Sequence, residues 1–234
     1  MNKFIFDVDG TLTPSRGRIN EDFSLWFTQF CVTNDVYLVT GSDYAKTQEQ
    51  LGDYLLRWPI FVYGCSGSDV WAKGERISTS EWKAPHALYE LMNGWLQASR
   101  FPLRTGNHIE QRPGMVNFSI VGRNCTLGER KLYVAWDEEH RERESIAHII
   151  NMNFDGITAT VGGETGIDIH PTGSDKSQIL KHFDLSKDKI IFFGDRMDQG
   201  GNDYPLANAN KTGKNYHVKD WKHTWEILKT YDNV

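Results

Sequence analysis

Three apolar residues, Phe4-Ile5-Phe6, run directly into two acids one residue apart, Asp7-Val8-Asp9, and then into Gly10-Thr11-Leu12-Thr13. No other stretch narrows the possible folds as much. In an extended segment, side chains i and i+2 point the same way, so Asp7 and Asp9 can face one spot where the strand ends. Gly10 lets the chain turn sharply there. Two carboxylates forced together repel and lose hydration unless a cation lies between them. The pair therefore predicts Mg²⁺ and chemistry on an anion such as phosphate. The plainer alternative is a strand that ends in a solvated acidic turn. The ten-residue context of the two acids favours function over it.

The rhythm after this stretch predicts an open parallel sheet. Asn20 can cap a helix whose apolar face is Phe23, Trp26, Phe27, Phe30 and Cys31. The continuous apolar run 36–39 fits a buried strand, and it ends in Thr40-Gly41-Ser42-Asp43. A helix that stops near Gly52, a third strand at 60–63 and a small hairpin of 70–72 against 76–78 follow. Strands alternating with helices give a parallel sheet covered on both faces, with ligands held beyond the carboxyl ends of the strands. Asp7, Asp9 and Ser42 all fall at such ends.

From about residue 82 the pattern changes. A helix follows Pro85. Strands at 108–112 and 115–121, a charged helix at about 138–151, and strands at 157–161 and 167–170 joined by Gly162-Gly163-Glu164-Thr165-Gly166 read as an α+β module. The parallel pattern then resumes, with a helix at about 175–183, a strand at 189–193 ending in Gly194-Asp195, a strand at 216–218 and a helix carrying Trp221, Trp225 and Leu228. The expected division is a core of 1–81 and 171–234 with an inserted domain at 82–170.

The 234 residues are enough for a substantial core. A net charge of −5 gives no basic field for nucleic acid or an anionic membrane, so a phosphate site must be a local concentration of Arg and Lys. Cys31, Cys65 and Cys125 are scattered and odd in number, which predicts reduced thiols in a cytosolic protein. No apolar run is long enough for a membrane span, and the first apolar run meets Asp7 too early for a signal peptide.

Phe6-Asp7-Val8-Asp9-Gly10-Thr11-Leu12-Thr13 resembles the first motif of the haloacid-dehalogenase superfamily of phosphotransferases. The resemblance implies that Asp7 is the nucleophile and becomes an aspartyl phosphate, and that Asp9 is the general acid/base. It makes Ser42 and Lys176 phosphate-binding residues of the second and third motifs, and Asp7, Asp9 and Asp195 the Mg²⁺ site. Asp203 either supports the metal and Lys176 or caps a helix, and the sequence leaves both readings open.

A closer resemblance, to the eukaryotic-type phosphomannomutase family, covers nearly the whole chain. It is carried by the first motif with Arg16, by Gly41-Ser42-Asp43 with Gln48-Glu49-Gln50-Leu51-Gly52, by Ile109-Glu110-Gln111-Arg112-Pro113-Gly114-Met115-Val116-Asn117 with Ile120-Val121-Gly122-Arg123, and by Gly162-Gly163 to Ile167-Asp168-Ile169-His170-Pro171. It implies a Rossmann-like core with an inserted α+β cap of the type IIB kind. It places Arg16, Arg112, Arg123, Arg130, Asp168 and Gly166 at sugar-phosphate positions. It further implies a hexose 1,6-bisphosphate activator, interconversion of mannose 6-phosphate and mannose 1-phosphate for GDP-mannose synthesis, and a cytosolic homodimer joined through the caps. Independently, a mutase must hold two phosphates in its bisphosphate intermediate, and Arg104, Arg112, Arg123 and Arg130 supply the residue type suited to that task. The chain departs from the family pattern in having Gly166 for a serine, Thr40 for a glycine and Ala209 for an aspartate. A sugar-phosphate phosphatase of the same fold and a non-catalytic sugar-phosphate-binding module are the alternatives.

Overall fold

A computed structural model describes residues 1–231. The chain divides into two compact units: Met1–Ser80 with the segment from Ser174 onward, and Glu81–Gly173. The first unit begins with β1 (Asn2–Phe6), α1 (Glu21–Thr33), β2 (Val36–Val39), α2 (Tyr44–Leu55), β3 (Phe61–Gly64), β4 (Asp69–Ala72) and β5 (Glu75–Thr79). The second unit follows with α3 (His86–Ala98), β6 (Ile109–Arg112), β7 (Met115–Phe118), α4 (Leu127–His140), α5 (Glu142–Asn153), β8 (Ile157–Gly162) and β9 (Gly166–Pro171). The chain then returns to the first unit with a 3₁₀ segment (Lys176–His182), β10 (Lys189–Gly194), α6 (Tyr204–Ala209), β11 (Lys214–His217) and α7 (Trp221–Leu228).

In the core unit the strands lie in the order β11-β10-β1-β2-β3-β4-β5. The first five are parallel, and β4 and β5 form the antiparallel hairpin expected from the sequence. Successive residues of β1 point to opposite faces. Phe4 and Phe6 pack with Phe23, Phe27 and Phe30 of α1, Leu51 and Leu55 of α2, and Leu228 of α7. Ile5 packs on the other face with Ile179, Leu180 and Leu206. With helices on both sides, the buried stretches of the central strands, 4–6, 36–39 and 190–193, are apolar at successive positions. Phe6 stacks on Phe193 of β10, ring centroids 4.8 Å apart, which locks the two central strands together just before β1 reaches Asp7 and β10 reaches Asp195.

The inserted unit holds a four-stranded antiparallel sheet, β6-β7-β9-β8, with its own apolar core. Val116, Phe118, Ala159, Ile167 and Ile169 pack with Leu88, Met92, Tyr133, Ile146 and Ile150 from α3, α4 and α5. By alternation, Asn117 and Asp168 face the other way, directly opposite each other in the β7–β9 register. Glu110 is the partner of Asn117 across β6–β7 and shares that face.

Several elements differ from expectation. The charged helix predicted at 138–151 is two helices, broken at Arg141, whose φ of 50° and ψ of 38° are left-handed. All of α4 before residue 138 is additional. Its buried residues are Arg130, Tyr133 and Asp137, so it offers almost no apolar periodicity to read. The segment predicted as a helix at 175–183 is a 3₁₀ turn. Helix α2 runs past Gly52, which itself lies at φ 78° and interrupts it.

Candidate active site

Adjacent parallel strands lie roughly 4.8 Å apart, so acids placed just past the ends of β1 and β10 must meet. The Asp7 N–H donates to the Phe193 carbonyl at 2.9 Å, which extends the ladder by one residue. Carboxylate oxygens of Asp7, Asp195 and Asp203 all lie within 4.8 Å of one another. Gly10 passes over this cluster at φ 76°, and a Cβ there would stand 2.3 Å from Asp195 Oδ2. Backbone conformation and close approach thus both demand glycine.

Lys176 enters the cluster from the start of the 3₁₀ segment. Its ammonium is 1% exposed and donates to Asp7 Oδ1 at 2.5 Å and to Asp203 Oδ1 at 2.7 Å. Asp203 accepts from Arg196 N–H at 3.0 Å and makes no cap bond to the helix it precedes. The helix-cap alternative for Asp203 is therefore not what its side chain does; it orients Lys176. The Thr11 hydroxyl donates to Asp7 Oδ2 at 3.3 Å.

Three carboxylates face one ammonium in a buried setting. Burial, reinforced by Asp203 and Asp195, raises the Asp7 carboxyl well above the ordinary aspartate range, against the opposing pull of Lys176. Burial and then Asp203 push Asp195 up to about 6. Burial works to lower the Lys176 ammonium, but Asp203 and Asp7 outweigh it and the net direction is upward. The surplus negative charge, with oxygen-only donors, fits a hard divalent cation.

Asp9 does not join the cluster. Its Oδ1 accepts from the Arg16 N–H at 2.6 Å and from Gln50 Nε2 at 2.9 Å. The third carboxylate of the cluster is that of Asp203. Arg16 is exposed and holds a left-handed φ of 57°, which aims its N–H at Asp9. Ser42 follows the end of β2, and its N–H donates to Thr40 Oγ1 at 3.1 Å. It does not cap α2; Asp43 does, accepting from Lys46 N–H at 2.8 Å.

The inserted unit contains a second cluster. Glu110 Oε2 is shared by Arg112, whose Nε lies at 3.0 Å, and Arg123, whose Nε lies at 3.3 Å. Asn117 Nδ2 donates to Asp168 Oδ1 at 2.6 Å. Gly166 packs against Asn117: a Cβ there would stand 2.7 Å from Nδ2, so a serine at 166 would have to displace the amide that holds Asp168. Arg130 follows the capping box of Thr126 and Glu129 and reaches Glu164 Oε2 at 3.3 Å and Thr165 Oγ1 at 3.5 Å. Arg104 does not converge with the others. Its guanidinium donates to the carbonyls of Leu96, Ser99, Phe101 and Leu103 and closes the turn after α3. Glu110, Asn117 and Gln50 are the residues that the sequence reading missed as contributors. Glu110 and Arg112 stand at i and i+2 on one strand, a signal that was available.

A family model described as eukaryotic phosphomannomutase matches residues 27–232. The protein named phosphomannomutase 1 from Dictyostelium discoideum is 31% identical over 223 residues, covering 92% of this chain and 90% of that one. Among solved structures, the N-terminally truncated IMP-nucleotidase of Plasmodium falciparum superposes with a TM-score of 0.63 at 16% identity, covering 98% of this chain and 70% of that one. A haloacid dehalogenase-like hydrolase from Bacteroides thetaiotaomicron gives 0.57 at 14% identity, covering 92% and 88%. The two structural likenesses speak to the fold alone.

Proposed function

The chain belongs to the eukaryotic phosphomannomutase family, and from that premise we propose that it interconverts mannose 6-phosphate and mannose 1-phosphate through a phosphorylated Asp7. The carrying observation is the Asp7 carboxylate, buried, held at one oxygen by Lys176 and grouped with Asp195 and Asp203. Phosphoryl transfer is mostly positioning and charge neutralisation. Lys176 fixes the orientation of Asp7 for in-line attack. Phosphorylated Asp7 gives its phosphoryl group to the free hydroxyl of the bound mannose monophosphate: the new sugar O–P bond forms as the Asp7 O–P bond breaks, and Asp9 takes up the hydroxyl proton. The bisphosphate so formed reorients, Asp7 attacks its other phosphoryl group, and Asp9 gives the proton to the departing sugar oxygen, which releases the other monophosphate and regenerates phosphorylated Asp7. Ser42, with the backbone N–H groups near it, binds the transferring phosphate. Arg16, Arg112, Arg123, Arg130 and Asp168 recognise the rest of the substrate, together with the backbone at Gly166, two residues before Asp168.

Mg²⁺ is the cation proposed for Asp7 and Asp195, with Asp203 behind them, and it supplies charge neutralisation at the phosphoryl oxygens. A hexose 1,6-bisphosphate serves as activator by phosphorylating Asp7. The proposal includes a cytosolic homodimer joined through the inserted unit. Among the described residues no helix is long and apolar enough to cross a membrane, and none of Cys31, Cys65 and Cys125 is in a disulfide.

The test is mannose 1-phosphate with Mg²⁺ and catalytic glucose 1,6-bisphosphate, with products resolved by ³¹P NMR. Mannose 6-phosphate is expected. Stoichiometric inorganic phosphate without mannose 6-phosphate would establish the phosphatase alternative instead. Metal binding carries a pH signature. Since Asp195 is pushed up to about 6 and Asp7 is also raised, protons compete with the cation below neutrality. Calorimetry should show Mg²⁺ affinity falling by about tenfold or more from pH 7 to pH 5. A flat affinity over that range would remove Asp195 from the ligand set.

A further inference from the structure

We propose that Gln50 is a positioning residue for Asp9: its side-chain amide holds one carboxylate oxygen of Asp9 and leaves the other for proton transfer to the sugar. The inference rests on the phosphotransfer reading above and extends it to a residue to which that reading gives no role.

Gln50 lies on α2, 41 residues from Asp9, and is 2% exposed. Its Nε2 faces three acceptors: Asp9 Oδ1 at 2.9 Å, Thr13 Oγ1 at 3.3 Å and the Gly17 carbonyl at 3.4 Å. An oxygen in that place would face the Asp9 carboxylate and the Gly17 carbonyl, so the network itself fixes which end of the amide points inward. The backbone carbonyl of Gln50 accepts from Ile19 N–H at 2.9 Å. One residue of α2 therefore ties down the whole loop that follows the first acid pair.

Two further observations separate orientation from mere packing. Gln50 Oε1 is buried and has no hydrogen-bond partner. An orphaned buried acceptor lowers stability, so an apolar side chain of similar volume would suit the fold as well or better. What the glutamine adds is the donor. On Asp9 the hydrogen bonds are also divided unequally. Oδ1 accepts from both Gln50 and the Arg16 N–H, whereas Oδ2 accepts none among the described residues. A carboxylate anchored at one oxygen by two donors from separate segments cannot rotate freely, and its second oxygen keeps a fixed direction. A general acid/base needs such a fixed direction.

The experiment compares full-length wild type, Gln50→Leu and Gln50→Glu with Mg²⁺ on two phosphoryl donors. Mannose 1-phosphate, with catalytic glucose 1,6-bisphosphate, has a leaving oxygen that must be protonated; p-nitrophenyl phosphate has one that leaves without a proton. With mannose 1-phosphate, kcat is expected to fall about 10- to 100-fold with KM within about twofold of wild type. With p-nitrophenyl phosphate the rate of the pre-steady-state p-nitrophenolate burst, which reports formation of the aspartyl phosphate alone, should fall by under about threefold, because no proton need be delivered in that step. Equal losses on both donors, a change confined to KM, or unchanged kcat would each overturn the proposal. Gln50→Glu keeps the size and shape of the side chain and replaces the donor by a like charge, so it carries the test should Gln50→Leu fold poorly. The wild-type product identifies the reaction, and the ratio of the two losses tests Gln50 separately from it.

Discussion

Asp7→Asn abolishes turnover while leaving a folded protein. The substitution is nearly isosteric, but it removes the carboxylate proposed as the nucleophile, and the expected loss in kcat is about 10⁴-fold or more. Its effect on stability runs the other way. Burial, Asp203 and Asp195 all raise the Asp7 carboxyl, so the metal-free folded state binds that proton more tightly than the unfolded chain does. The sign follows by linkage: the metal-free protein loses stability as pH rises from the ordinary aspartate value toward the raised folded value. Asn carries no charge at any of these pH values and should flatten that part of the profile. The check is a product-resolved assay beside thermal melts without metal between pH 4 and pH 8. Turnover within tenfold of wild type would remove Asp7 as the nucleophile. A metal-free melt that still falls with pH as steeply as wild type would contradict the charge argument.

The second large effect is on stability itself. Lys176→Met leaves Asp7 and Asp203 buried without the ammonium that both of them contact. Breaking a buried pair by removing one partner costs about 3–5 kcal/mol, because the surviving charge keeps its desolvation penalty. Here two carboxylates survive, so the upper part of that range applies in the absence of metal. Adding Asp203→Asn to Lys176→Met removes one stranded charge and should recover part of the loss, a coupling that a double-mutant cycle on denaturant unfolding measures directly. Additive single effects would show that the two residues act independently, despite the 2.7 Å contact between them. Activity of Lys176→Met should fall with stability, since nothing else holds Asp7 Oδ1 among the described residues.

The parts of the fold and site that could be read from sequence share a physical cause. Phe4-Ile5-Phe6 and Ile190-Ile191-Phe192-Phe193 are buried on both sides of a parallel sheet, so their apolar runs are unbroken, and the acids that end them stand out. What escaped the reading depends on long-range pairing. Gln50 is one more polar residue of a polar helix until the fold sets it against Asp9. Lys176 is singled out in the sequence by resemblance, but its burial between two carboxylates follows only from the meeting of Asp7 and Asp203. Helix α4 escaped for another reason. Its inward residues include Arg130 and Asp137, which a search for apolar periodicity passes over, although Thr126 and Glu129 carry the capping-box spacing. Glu110 was hidden among the arginines that it holds.

The chain order of the core has a consequence for how the protein is made. Lys176 lies 169 residues after Asp7, and β10, which pairs with β1 along its whole length, comes later still. During synthesis the acids of the first strand leave the ribosome long before the ammonium that neutralises them. One edge of β1 then waits unpaired, with its apolar side chains, while the entire inserted unit is translated. That unit is contiguous and has its own core, and domains generally fold as units, so the insertion can finish before the framework that interrupts itself to carry it. Unpaired strand edges are templates for association. The nascent chain is thus most vulnerable to aggregation in the interval between β5 and β10, and a chaperone that shields the β1 edge has its greatest effect there.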